Sequence, residues 1–220
     1  MENIVLIGSS GHAKVVIDIV ERENKYRIVG LIDKFRQIGE ETLGYPVVGK
    51  EEDLPRLVHE YAIAGGLVAI GDNFQRSEVA NKINRLSPNF PFFSSIHPQA
   101  NIARNVDIGA GTVIVAGVTI SPSCTIGCFC LLNTNSSLDH DSVMEEFSSL
   151  APRVSTGANV HIGAFSAVGI GATLIHQVRV GEHTVVGAGA TVLNDIDSFK
   201  VAYGTPAIAI RDRKIGDKYL

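Results

Sequence analysis

The 220-residue chain is 45% hydrophobic and 19% charged, with a formal net charge of −4. That balance gives it enough apolar side chain to bury a core, and it excludes the basic excess expected of a nucleic-acid or anionic-membrane binder. Apolar runs such as Ile4–Ile7 are far too short to cross a bilayer, and the start MENIVLIGSS lacks the basic and long apolar regions of a signal peptide, so a cytoplasmic protein without membrane insertion is expected.

Asn3–Ile7 (NIVLI) is a short unbroken apolar run, the pattern of a parallel strand buried on both faces. Gly8-Ser-Ser-Gly-His12 follows at once, and then a segment with helical spacing at Val15, Val16, Ile19 and Val20. Further strands are expected at Arg27–Ile32, ending on Asp33, at Leu67–Ile70, closed by Gly71-Asp72-Asn73, and at Phe90–Ile96, with a short excursion at Pro46–Val48. Helices are expected over Leu54–Tyr61 and Gln75–Leu86, the latter with Val79, Ile83 and Leu86 on one face. Strands alternating with helices make a small parallel sheet with crossover helices, so residues 1–97 read as an α/β, Rossmann-like domain. His97-Pro98-Gln99-Ala100 reads as a hinge, because Pro98 restricts His97 to extended geometry.

From Ile102 to Asp197 the chain falls into sixteen consecutive six-residue blocks without an insertion. The first position is Ile, Leu, Met or Val in every block but one, where it is Thr156. The fifth position is always small or β-branched, and Gly is common at the second. Neither a helical period of 3.6 nor a strand period of 2 makes such a beat. Hexads of this kind mark a β-helix, in which short strands meet at turns and each coil stacks on the last. The first position fills the interior, the fifth sits where the wall is tight, and Gly is expected to supply positive φ at the turns. Cys124 and Cys130 occupy fifth positions and, with Cys128, read as reduced thiols, since no fourth metal ligand lies nearby. After Asp197 the beat stops, and residues 201–220 carry Tyr203-Gly-Thr-Pro-Ala207 and the charged RDRKIGDK.

Two places in the chain carry chemistry. The GSSGH loop joins a strand to a helix N-terminus, where free backbone N–H groups and the helix dipole favour an anion. Asp33 lies at the end of the next strand, placed to accept from a ribose or base. GSSGH lacks the middle glycine of GxGxxG, so its signal for a dinucleotide is weak, and a tight turn without a ligand is the other reading. In the repeat, one block breaks the small, apolar manner of its neighbours: Leu138-Asp-His-Asp-Ser-Val143. A histidine at a turn, flanked by carboxylates, points outward and accepts a proton near neutral pH.

The hexads resemble those of the hexapeptide-repeat acyltransferases, which implies an all-β, left-handed parallel β-helix of 18 residues per coil over residues 98–200. The order GxSGHAxVVxD, a central IHP and a C-terminal hexad β-helix is similar to a bacterial subfamily of nucleotide-diphospho-aminosugar N-acetyltransferases and related sialic acid O-acetyltransferases. The resemblance implies acetyl-CoA as co-substrate, no metal, a homotrimer with sites at its seams, and a role in surface glycan or glycoprotein biosynthesis. It implies that Ser10, Gly11 and His12 contact the phosphates and sugar of a nucleotide-linked amino sugar, that Asp33 and Lys34 face the nucleotide, and that Gly71 lines the same cleft. It implies His140 as general base with Asp141 polarising its ring, where many relatives have Glu. One coil above His140, Ala158 would offer an oxyanion-binding N–H, and Ile170, Gly187 and Ala188 would line the coenzyme. Ser149 stands where the family often has a second histidine.

Three other readings stay open on the sequence. A zinc enzyme on the same scaffold would draw on His140 and His176, two coils apart, but His161 and His183 do not share their column. A trimer that binds a nucleotide sugar without catalysis would leave the DHD block idle. An O-acetyltransferase would use the same base on a sugar hydroxyl. The nucleotide base and the acetylated ring position are not legible in the sequence.

Overall fold

The structure, a computed structural model, describes residues 1–219. It divides into two compact units, one of Met1–Gly71 with Gln75–Pro98 and the other of Asp72–Phe74 with Gln99 onward. The first unit is built from β1 (Glu2–Ile7), α1 (Gly11–Glu23), β2 (Tyr26–Ile32), β3 (Glu41–Thr42), β4 (Tyr45–Gly49), α2 (Leu54–Glu60), β5 (Ile63–Val68) and, from Gln75 on, α3 (Asn73–Leu86). Among the described residues its sheet runs β3-β4-β2-β1-β5. β1 pairs in parallel with β2 and β5, β4 joins β2 in parallel, and β3 closes an antiparallel hairpin on β4. The central β1 needs apolar side chains on both faces, and Ile4, Val5, Leu6 and Ile7 are at most 1% exposed. α1 covers the sheet with Ala13, Val16, Ile17, Ile19 and Val20 and ends on Asn24 in the left-handed conformation.

Two strands depart from expectation. β5 starts at Ile63 and stops at Val68, so it takes in Gly65-Gly66, a pair that reads as a breaker. The glycines are there for close approach: a Cβ on Gly65 would lie 2.5 Å from the Phe93 ring, and one on Gly66 would lie 2.7 Å from the Val5 carbonyl. The expected strand over Phe90–Ile96 reduces to one parallel bridge between Phe92 and Gly66 and a short strand at Ser95–Ile96. Pro91 has no N–H to donate, and only its carbonyl joins, accepting from Gly66 N at 3.0 Å.

The second unit is a left-handed parallel β-helix of two-residue strands. Its register is 18 residues: Thr119 pairs with Asn101 and Ser137, Thr125 with Asp107 and Val143, and Leu131 with Val113 and Ser149. First-position side chains from Ile114 to Val192 are buried, with Thr156 half-buried as the polar exception. Fifth-position side chains from Thr112 to Ile196 are all buried. One wall continues past the hexads, because Lys200–Gly204 pairs with Val185–Val186 and folds back on Ala207–Asp212 as a hairpin.

The role expected of the second-position glycines is corrected by the backbone. Positive φ falls at the fourth position, on Asn105, Ser123, Asn135, Asp141 and Asn159 as well as Gly111 and Gly171. Second-position glycines answer a different demand, the approach of the next coil. A Cβ on Gly109 would lie 2.5 Å from Cys128 N, and one on Gly163 would lie 2.5 Å from Glu182 N.

Along one edge the fourth positions Phe129, Phe147, Phe165 and His183 carry rings rather than glycine. They stack on one another and on Phe199, past the last hexad, with centroids 4.9, 5.1, 4.6 and 5.1 Å apart, each on a left-handed residue. Contact between rings offsets the left-handed backbone, which disfavours side chains by about 1–2 kcal/mol. Phe147→Ala keeps the strained φ and removes two stacks, so a loss of about 2 kcal/mol is expected in chemical denaturation. An unchanged unfolding midpoint would show that the stack does not hold the coils.

Candidate active site

In the first unit the turn after β1 is shaped by glycine and by one carboxylate. Gly8 has φ 107°, and a Cβ there would lie 2.9 Å from the Ala69 carbonyl, so no other residue fits without a shift. The buried Ser9 donates its N–H (3.1 Å) and its hydroxyl (2.6 Å) to Asp33 Oδ2. Asp33 Oδ1 accepts the N–H of Phe35 at 2.8 Å. Thr42 donates its hydroxyl to the Ser9 carbonyl at 2.9 Å. Asp33 therefore braces the loops at the ends of β1 and β2 with both oxygens.

Ser10 and Gly11 are exposed at the start of α1, and nothing lies within 4 Å of where a Gly11 Cβ would stand. His12, the next residue, is half-buried, and its pKa is pushed down to about 4, first by burial and then by the Arg76 guanidinium. It is neutral at pH 7, with one ring nitrogen to donate and one to accept. Arg76 is 2% exposed and donates Nη1 to the carbonyls of Ile70 (3.0 Å) and Gly71 (2.9 Å), so it holds the turn that carries Gly71. Lys34 is exposed, its Nζ 4.8 Å from the centre of the Phe35 ring, which is 86% exposed. Sequence reasoning missed Ser9, Thr42 and Arg76. Only Arg76 left a trace, a charge three residues before Val79 and seven before Ile83 on an apolar stripe.

The second cluster is the turn Asp139-His140-Asp141. His140 Nδ1 lies 2.6 Å from Asp141 Oδ2, a pairing that raises the histidine pKa above 6.5. Asp141 takes the left-handed conformation (φ 57°) that a short acidic side chain tolerates. Neighbouring coils pin the turn: Asp141 N donates to the Pro122 carbonyl (3.2 Å), and Asn159 N donates to the His140 carbonyl (2.9 Å). Asp139 Oδ1 accepts the His140 N–H at 2.8 Å, and Thr156 Oγ1 accepts the Asp139 N–H at 3.0 Å. With Nδ1 engaged by the carboxylate, Nε2 is the nitrogen left for a substrate, and the side chain is 52% exposed.

Ala158 stacks above His140, and Gln177 N donates to the Ala158 carbonyl (2.8 Å), so His140, Ala158 and His176 share one edge. The ladder there uses the N–H groups of Gly157 and Asn159. Ile170, 59% exposed, and Ala188, also exposed, stack along a different edge, where Gly189 N donates to the Ile170 carbonyl (2.8 Å). Within one chain these two do not meet His140. Gly187 is buried under the Tyr203 ring, which a Cβ would strike, so its lack of a side chain already has a packing cause. Ser149 is buried in the wall between Leu131 and Ala167. Among the described residues no group of three or more His, Cys, Asp or Glu side chains is arranged to hold a metal ion.

The chain resembles known proteins over both units. The family model for the PglD N-terminal domain matches residues 3–83. A UDP-N-acetylbacillosamine N-acetyltransferase of Bacillus subtilis is 31% identical over 119 residues, which is 53% of this chain and 52% of that relative. The chain thus spans about half the length of that curated relative. Among solved structures, a histidine-to-alanine mutant of GDP-perosamine N-acetyltransferase from Caulobacter crescentus, in complex with CoA and GDP-perosamine, superimposes with a TM-score of 0.90 at 32% identity, covering 96% of this chain and 98% of that one. The acetyltransferase domain of PglB from Neisseria gonorrhoeae, in complex with acetyl coenzyme A, gives a TM-score of 0.88 at 29% identity, covering 95% and 99%.

The state of His12 has a consequence for stability. Below pH 6.5 an unfolded chain takes up a proton that the folded unit resists until about pH 4. Stability should therefore fall as pH drops across that window, by about 3 kcal/mol from this group. His12→Gln should flatten the fall, read as the denaturation midpoint at pH 7 and at pH 4.5. An equally steep fall in the variant would place the acid sensitivity elsewhere.

Proposed function

This chain belongs to the hexapeptide-repeat nucleotide-sugar N-acetyltransferases, and on that premise we propose that it moves the acetyl group of acetyl-CoA to the amine of a nucleotide-diphospho-amino sugar, with His140 as general base. The observation that carries the assignment is the 2.6 Å pairing of His140 Nδ1 with Asp141, on the only hexad that presents a histidine between two carboxylates. The pairing orients the ring and leaves Nε2 outward. The amine nitrogen attacks the thioester carbon, and His140 Nε2 takes the proton as the C–N bond forms. The tetrahedral oxyanion is met by a backbone N–H, for which Ala158, one coil above, is the candidate. The intermediate collapses, the C–S bond breaks, and the thiolate recovers the proton from His140. Two bound substrates held in reach need no acyl-enzyme.

Ser10, Gly11 and neutral His12, at the open start of α1, are proposed to receive the diphosphate and sugar. Lys34 is assigned to the nucleotide and Gly71 to the rim of the same cleft. Asp33, which already accepts three hydrogen bonds from the loops, is assigned chiefly to shaping them. For the coenzyme we assign Ile170 and Ala188, with Gly187 clearing room for Tyr203. Since Ile170 and Ala188 lie on a different edge from His140, the assignment calls for a homotrimer in which one chain's coenzyme wall faces another chain's base. Ile208 and Ile210, 64% and 60% exposed, supply apolar surface for such a seam. The reaction is placed in the cytoplasm, where acetyl-CoA is available, and in the supply of acetylated sugars for surface glycans. No helix among the described residues is long and apolar enough to cross a membrane.

Thiol release from acetyl-CoA on a panel of nucleotide-linked 4-amino-4,6-dideoxysugars tests the reaction. His140→Ala should lower kcat about 10²- to 10⁴-fold. In the native enzyme activity should fall with pH through a pKa above 6.5, because protonated His140 cannot act as base. Asp141→Asn should move that acid limb to lower pH while reducing kcat. Turnover on hydroxyl acceptors alone, or undiminished turnover by His140→Ala, would overturn the assignment.

A further inference from the structure

Thr156 is the one non-aliphatic residue among the sixteen first positions of the hexads, and nothing in the reaction so far uses it. Its place in the coil also coincides with a departure from the regular ladder. Across the coils, the N–H of a second-position residue donates to the first-position carbonyl of the coil above: Ser121 to Leu138, Gly127 to Met144, Asn133 to Leu150, Glu145 to Ile162. At Asp139 the N–H goes instead to the Thr156 hydroxyl, at 3.0 Å. The strand pairing is shortened at the same place. Neighbouring coils pair at two positions, as Thr119 and Ile120 do with Ser137 and Leu138, but that next strand pairs upward only through Ser137 and Ser155.

We propose that Thr156 is a positioning residue for the general base. The Asp139 amide is thereby anchored to the hydroxyl of a half-buried side chain in place of the wall's main chain. Asp139 then passes the constraint on, because its Oδ1 accepts the His140 N–H at 2.8 Å. His140 in turn presents Nδ1 to Asp141 at 2.6 Å. The three links run from the Thr156 hydroxyl to the imidazole, so Thr156 would act through Asp139 and not by contact with substrate. An aliphatic side chain would let Asp139 return to the ordinary backbone bond and would turn the Asp139–Asp141 segment with it.

The inference rests on the assignment of His140 as base. Thr156→Val is the test, since valine is at home at this position in Val168, Val180 and Val186. We expect kcat to fall about tenfold with KM changed less than about twofold, the loss typical of a displaced catalytic group. The acid limb of kcat/KM should move down, toward that of Asp141→Asn, as the imidazole–carboxylate pairing loosens. Thr156→Ser, which keeps the hydroxyl, should restore both kcat and the limb. Thermal stability should stay at or above that of the native chain in the valine variant, which separates positioning from folding. A wild-type kcat and pH profile in Thr156→Val, with His140→Ala inactive, would overturn this inference and leave the base assigned. Equal losses in the serine and valine variants would overturn it as well. Full activity in His140→Ala would instead remove the premise.

Discussion

Each coil of the second unit is held to the next by parallel strand pairing of residues 18 apart, and at second-position glycines an added side chain would strike the next coil. Much else in this molecule follows from that spacing. It puts every first-position side chain inside and every fifth-position side chain at a tight corner. It forces left-handed φ at the fourth position and glycine at many second positions, where an added Cβ would lie within 3 Å of the next coil's backbone. A scaffold with so regular a backbone fixes its edge residues to within the precision of a hydrogen bond, which is what a general base requires.

Against that regularity the His140 turn differs in composition and in bonding. Asp139, His140 and Asp141 stand on an edge where the next coil carries Gly157-Ala158-Asn159, and the amide of the first is taken by a side chain. The charge arrangement suits the base proposed for this turn. His140 is held near a carboxylate, and its raised pKa is matched by high exposure, so the ring exchanges protons readily while staying in one orientation. His12 is the opposite case, a histidine kept neutral by burial and a neighbouring guanidinium, suited to hydrogen bonding without a change of charge. One chain thus uses the same side chain twice, and the environment decides its chemistry.

The first unit solves a different problem with a different device. A loop that must leave backbone N–H groups open at a helix start cannot close its own hydrogen bonds, so rigidity comes from side chains beneath it. Asp33 supplies this from just past β2 and Thr42 from β3, while Arg76 on α3 holds the turn at Ile70-Gly71. The partners lie 24, 33 and 5–6 residues apart, with no periodic relation among them. That is why the sequence could single out Asp33 at a strand end but not its bracing contacts, and why Ser9 and Thr42 were not singled out at all.

The hexad beat determined the β-helix, its interior residues and the placing of His140 on an outward edge, because which side of a wall a residue faces is a local, periodic property. The unbroken run NIVLI likewise determined a strand covered on both faces. Only the tertiary structure decided which neighbour each polar group would meet. It gave second-position glycine a packing cause in place of a conformational one, and it carried β5 through Gly65-Gly66. It also turned Thr156 from an exception in a pattern into the acceptor of the Asp139 amide. Periodicity along the chain reports direction, whereas a hydrogen bond depends on the distance between coils that the sequence does not write down.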